Sequence, residues 1–212
     1  MTLTRRDVVQ LAALVTGGTL VTTLLRMNRP IGVNVSGVPS ADAVRSDRSS
    51  PLRNNPAADL SLIVFTDYRC PACRAAHPAM ERAVAKDGRV RIIYKDWPIF
   101  GPLSERAAQV AIASDLQHIY PLVHDRLMTE RANDDDALRA AVEGASGDWN
   151  RLQADLARDR SRIAAQLARN SWQAFTLGLG GTPGYLIGPI LVRGALNERE
   201  FRRAFREARE QG

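Results

Sequence analysis

Cysteine is scarce: two residues in 212, Cys70 and Cys73, separated by Pro71 and Ala72. That excludes a framework of many disulfides, and the one bridge these two can form closes a loop too small to constrain the unfolded chain much. No staple is needed either, since 45% of the residues are hydrophobic, enough to bury a core. Lysine is nearly missing as well, with only Lys86 and Lys95 beside the many arginines. The three histidines, His77, His118 and His124, leave few ways to complete a four-ligand zinc site with the cysteines, and no metal is expected. Thiolates would suit Cu(I) better, which keeps a tethered copper-binding module as a non-enzymatic alternative. Arg74 follows Cys73 where c-type haem attachment requires a histidine. Internal repeats are absent, and no cofactor is expected.

Charge of one sign is less abundant than the net +6 suggests. Residues 1–55 hold seven Arg against three acids, and the remaining 157 residues hold 22 Lys and Arg against 20 Asp and Glu. Without a basic run interleaved with aromatics, nucleic acid is not expected as a partner. One long uncharged run, the 18 residues Val8 to Leu25, follows Arg5-Arg6 and Asp7 near the N-terminus and ends at Arg26. Residues 1–25 therefore read as a signal peptide or N-terminal membrane anchor, the chain's only expected membrane contact. The arginine pair partly matches a twin-arginine signal. The one small-x-small site, Ala41-Asp42-Ala43, lies well beyond the run, so retention as a tether stays open. Residues 26–57, polar and aperiodic, read as a flexible linker. The folded part, 58–212, is thus expected outside the cytoplasm, in the periplasm or its equivalent, where thiols are oxidised.

Within that part, Leu60 to Tyr68 is a short branched and aromatic run, the pattern of a buried strand that ends at the cysteines. Helical spacing follows (Cys73, Ala76, Met80, Val84), with Pro71 in the first turn, Pro78 inside and Gly88 as a stop. A second strand, a helical block at about 103–178, a hairpin of Tyr185 to Ile187 with Ile190 to Val192, and a last helix capped by Asn197 and Glu200 complete the order.

That order, with "FTDYRCPAC" at the strand-to-helix junction, Pro78 eight residues after Cys70, "YKDWPIFGPLSERAAQVAIA" leading into the helical block and "GGTPGYLIG" beyond it, resembles the DsbA-like branch of the thioredoxin-fold superfamily. The resemblance implies an α/β fold, a central sheet flanked by helices with an inserted α-helical domain. It implies a cis bond at Pro183, in a loop that faces the cysteines and offers the backbone of Thr182 to a substrate peptide. One departure is Val64, where the fold often has a buried acid that shuttles the second cysteine's proton.

The residue types suit thiol-disulfide exchange. A helix N-terminus supplies unpaired N–H groups and partial positive charge for a thiolate, which makes Cys70 the expected nucleophile. Cys73, one turn in, is expected to be more shielded and to act as the resolving thiol. Stabilising the reduced form raises the reduction potential by about 30 mV for each 1.4 kcal/mol, so Pro71 and Ala72 are the expected tuning elements. Arg69 and Arg74 read as solvated surface charges, Asp67 as a turn or cap residue, and the three tryptophans as core or groove lining. The function expected is disulfide donation to exported proteins with thiols, through a mixed disulfide, with recycling by a membrane redox partner that the resemblance implies. A reductase or isomerase is the alternative.

Overall fold

The structure is a computed structural model and describes residues 30–130 and 134–212. The reading of residues 1–25 as a signal or anchor lies outside the described residues. Gly32–Gly212 forms one compact unit. Among the described residues no helix is long and apolar enough to cross a membrane.

The centre is β3 (Leu60–Thr66), whose near-continuous apolar sequence is buried on both faces. It pairs in parallel with β4 (Val90–Asp96), from Leu60 opposite Val90 to Thr66 opposite Asp96. A parallel pair needs a crossover, and α2 (Pro71–Asp87) supplies it. That helix starts with Cys70 as N-cap and Pro71 in its first turn, where a missing N–H costs nothing. It stops at Gly88, whose φ of 71° lets its N–H return to the Val84 carbonyl. On the other side of β3 lies the antiparallel hairpin β5 (Gly184–Ile187) and β6 (Ile190–Arg193), with Leu62 opposite Ile187 and Phe65 opposite Gly184. The last helix, α8 (Glu198–Gln211), begins with a reciprocal capping box of Asn197 and Glu200 and buries the stripe Phe201, Ala204, Phe205 and Ala208. Between β4 and β5 stand α3 (Pro102–Ser114), α4 (Tyr120–Thr129), α5 (Asp135–Gly144), α6 (Trp149–Arg158) and α7 (Arg160–Thr176).

Residues 32–57 are not the flexible linker the sequence suggested. Strand β1 (Val33–Asn34) pairs with β6 and β2 (Leu52–Arg53) with β4, giving a sheet of order β1-β6-β5-β3-β4-β2. Between them α1 (Pro39–Ser46) inserts the fully buried Ala41 and Val44 against Ile63, Phe65 and Leu186 of the sheet and Ala174 of α7. The segment is also pinned by charge. Lys95, on β4, is 0% exposed, and its Nζ donates to Asp47 Oδ2 at 2.7 Å. Asp47 accepts from Gln173 Nε2 at 2.8 Å and Ser49 Oγ at 2.6 Å as well. Burial alone would raise the Asp47 carboxyl; the hydrogen bonds from Lys95, Ser49 and Gln173 outweigh it and hold the group well below the usual carboxylate range. A buried ammonium needs such a partner, and the supposed linker provides it.

Candidate active site

Strand β3 stops at Thr66 because Asp67 turns the chain. The fully buried Asp67 carboxylate accepts the N–H groups of Arg69 at 2.7 Å, Ile99 at 2.6 Å and Phe100 at 3.2 Å, and the Ser104 hydroxyl. Its backbone carbonyl accepts the Cys70 N–H at 3.1 Å. One side chain thereby fixes the cysteine turn to the loop after β4 and to the start of α3. The Cys70 sulfur then caps α2, accepting the Cys73 N–H at 3.3 Å.

Cys70 Sγ also donates to the Thr182 carbonyl at 3.3 Å, across 112 residues of sequence. The peptide bond from Thr182 to Pro183 is cis. Pro71 and Ala72 are exposed above the pair. The expected difference in shielding is not there: Cys70 is 1% exposed and Cys73 3%. The Thr182–Pro183 loop, which leads into β5 beside the end of β3, lies against Cys70. What distinguishes the two thiols is their setting. Cys70 sits at the helix end, whereas burial pushes the Cys73 thiol up to about 12, opposed by hydrogen bonds from Thr182 and Thr66.

Arg74 is not a solvated surface charge. Its Nη1 donates to the carbonyls of Leu127 at 2.8 Å and Glu130 at 2.7 Å, and its Nη2 to that of Thr129 at 3.2 Å, closing the C-terminal end of α4. The redox helix and the inserted helices are joined there. Trp172 is likewise neither core nor groove lining: it is 65% exposed, its ring 5.9 Å from that of the exposed Phe175.

Sequence reasoning missed a buried polar group beneath the cysteines. Asp96, at the end of β4, accepts the Tyr120 hydroxyl at 3.0 and 2.9 Å. Tyr68 and Tyr120 share a hydroxyl contact of 3.3 Å, and the Tyr68 hydroxyl meets His124 Nδ1 at 2.9 Å. Burial raises the Asp96 carboxyl to about 7, against the hydrogen bonds from the two tyrosines. Burial, with the nearby His77 and Arg53, holds His124 well below its ordinary value. Tyr120 and His124 come from the inserted helices, so only tertiary structure brings them here. Among the described residues no three His, Cys, Asp or Glu side chains converge as metal ligands would.

A family model described as thioredoxin matches residues 47–207. The chain belongs to the thioredoxin family. A thioredoxin-like oxidoreductase from Silicibacter pomeroyi is 32% identical, with a TM-score of 0.73 over 80% of this chain and 97% of that one. A periplasmic thioredoxin-like protein from Salmonella enterica serovar Typhimurium is 27% identical, with a TM-score of 0.69 over 80% and 95%. The thiol-disulfide exchange protein alpha-DsbA2 of Wolbachia pipientis, 23% identical with a TM-score of 0.72 over 79% and 95%, shares the fold. Among curated proteins the chain is 27% identical over 166 residues to the Na(+)/H(+) antiporter NhaA 3 of Salinispora tropica, covering 75% of this chain and only 23% of that relative's length. The fold is DsbA-like, a thioredoxin sheet with an inserted helical domain. The chain is a thioredoxin-like oxidoreductase.

Proposed function

We propose that the protein donates the Cys70-Cys73 disulfide to exported proteins, outside the cytoplasm. The observation that carries this reading is the place of Cys70 Sγ, at the N-terminus of α2 and 3.3 Å from the Thr182 carbonyl. A substrate thiolate attacks Cys70 Sγ, the Cys70-Cys73 bond breaks, and a mixed disulfide on Cys70 forms. The substrate's second thiolate then attacks its own sulfur in that mixed disulfide, so that Cys70 leaves as a thiolate and the substrate keeps the disulfide. A helix N-terminus favours the negative charge on that leaving sulfur. Thr182 and Pro183 line the place where a substrate backbone docks, in the manner of an added strand. Cys73 is the resolving thiol, and Pro71 and Ala72, exposed between the cysteines, tune the pair. The periplasmic Salmonella relative supports the extracytoplasmic setting. Reoxidation falls to a membrane redox partner, and residues 1–25 serve as signal or anchor.

The test is oxidative refolding of a reduced, denatured ribonuclease by the oxidised full chain, without other oxidant. One disulfide transferred per protein, and none with Cys70→Ser, is the expected result. Reduction of an insulin-type disulfide without such transfer would instead make the chain a reductase.

A further inference from the structure

Whichever way the disulfide moves, the proton of Cys73 has to move with it, and the residues lining the space beside Cys73 include no carboxylate. His77 is four residues after Cys73 on α2, so the two side chains lie on one helix face. Both line a small cavity of about 10 Å³, together with His124 and Thr66. Val64, Met80 and Met128 form its apolar walls. That volume holds about one water, and the polar groups are enough to bind it. His77 Nε2 lies 2.8 Å from Asp125 Oδ1. His77 is buried, its side chain 3% exposed, while that of Asp125 is 57% exposed. Thiol, imidazole and carboxylate thus stand in order from the core to solvent, with room for about one water between the first two.

We propose that His77 carries the proton of Cys73, exchanging it with the thiol through one cavity water and with solvent through Asp125. The inference rests on the exchange reading above. In the donating direction, attack on Cys70 breaks the Cys70-Cys73 bond, and the departing Cys73 thiolate takes a proton from the His77 imidazolium through the water. In the reverse direction, Cys73 loses its proton to His77 and attacks Cys70 Sγ. The Cys70-Cys73 bond then forms, and the partner leaves as a thiolate.

Burial makes the Cys73 thiol a poor acid, so the step needs a base close at hand. His124 does not serve, because burial keeps it neutral and its Nδ1 is engaged by Tyr68. Because Nε2 is engaged by Asp125, Nδ1 is the imidazole nitrogen left to exchange a proton with the thiol. The titratable groups that face His77 are Cys73 on its own helix, Asp125 and His124 from α4 and Tyr185 from β5.

The experiment mixes the reduced full chain with oxidised glutathione, quenches in acid, and follows two steps by mass. The first is glutathione addition to Cys70; the second is its release by Cys73. His77→Gln, which keeps a donor for Asp125, is expected to slow release about ten- to a hundredfold at pH 7 and leave addition within about twofold. Its release rate is expected to climb about tenfold per pH unit, as hydroxide replaces the base, where the native chain climbs less. Asp125→Asn, at the surface and safe for folding, is expected to slow release about three- to tenfold with an unchanged unfolding midpoint. Release at the native rate and pH slope in either variant overturns the relay, as does equal slowing of both steps. If addition to Cys70 never occurs in the native chain, the exchange reading falls and the relay with it; if addition occurs and only the variants behave natively, the relay alone falls.

Discussion

Two buried carboxylates respond to pH with opposite signs. Asp96 has its folded value raised by burial to about 7, so the stability it contributes is complete in acid and is lost as pH rises through 7. Between the ordinary 3.8 of an aspartate and that value the effect is on the order of 4 kcal/mol. Asp96→Asn is expected to flatten the urea midpoint between about pH 5 and 8, as followed by tryptophan fluorescence. Asp47 is held below its ordinary value, so its contribution is present above about pH 4 and is lost as pH falls. Asp47→Ala leaves the fully buried Lys95 unpaired and is expected to cost about 3–5 kcal/mol, read as a lowered urea midpoint at pH 7. Restoring the midpoint with Lys95→Met in the same chain would identify the stranded charge as the cause. At this scale the sequence was only partly legible. Cys70 and Cys73 could be picked out by residue type and spacing, and the Thr182-Pro183 pair only through the resemblance to the DsbA-like branch. His77 had a visible cue, four residues after Cys73, but it gained meaning only when α4 placed Asp125 and His124 beside it.

Among the elements, the least legible was α1. Its eight residues contribute two small apolar contacts, Ala41 and Val44, three residues apart, and its flanking strands are two residues each. Nothing so short rises above a polar background, and its order comes from the sheet edges and from Lys95. A chain beginning at residue 58 is therefore expected to unfold at a lower urea concentration than one beginning at residue 30, even though it keeps β3 to β6. By contrast β3, α2 and α8 carry their own signals: a buried branched run, a proline start with a glycine stop, and a capping box. Arg74 links α2 to α4 through three carbonyls. Arg74→Ala is expected to cost about 1–2 kcal/mol and to speed amide exchange in the last turn of α4, by hydrogen-exchange mass spectrometry. An unchanged exchange rate there would show that the caps are dispensable.

For the whole molecule, the thioredoxin sheet fixes where the chemistry happens, and the inserted helices supply the buried polar groups beneath it. On the proposed function, this arrangement favours the dithiol and so makes the disulfide a donor. The most direct measurement is the reduction potential of Cys70-Cys73 in the full chain, equilibrated against glutathione buffers. The account expects a value above about −200 mV, where the reduced form is the favoured one. A value of about −270 mV or below would contradict it and make the pair a reductant or an inert bridge.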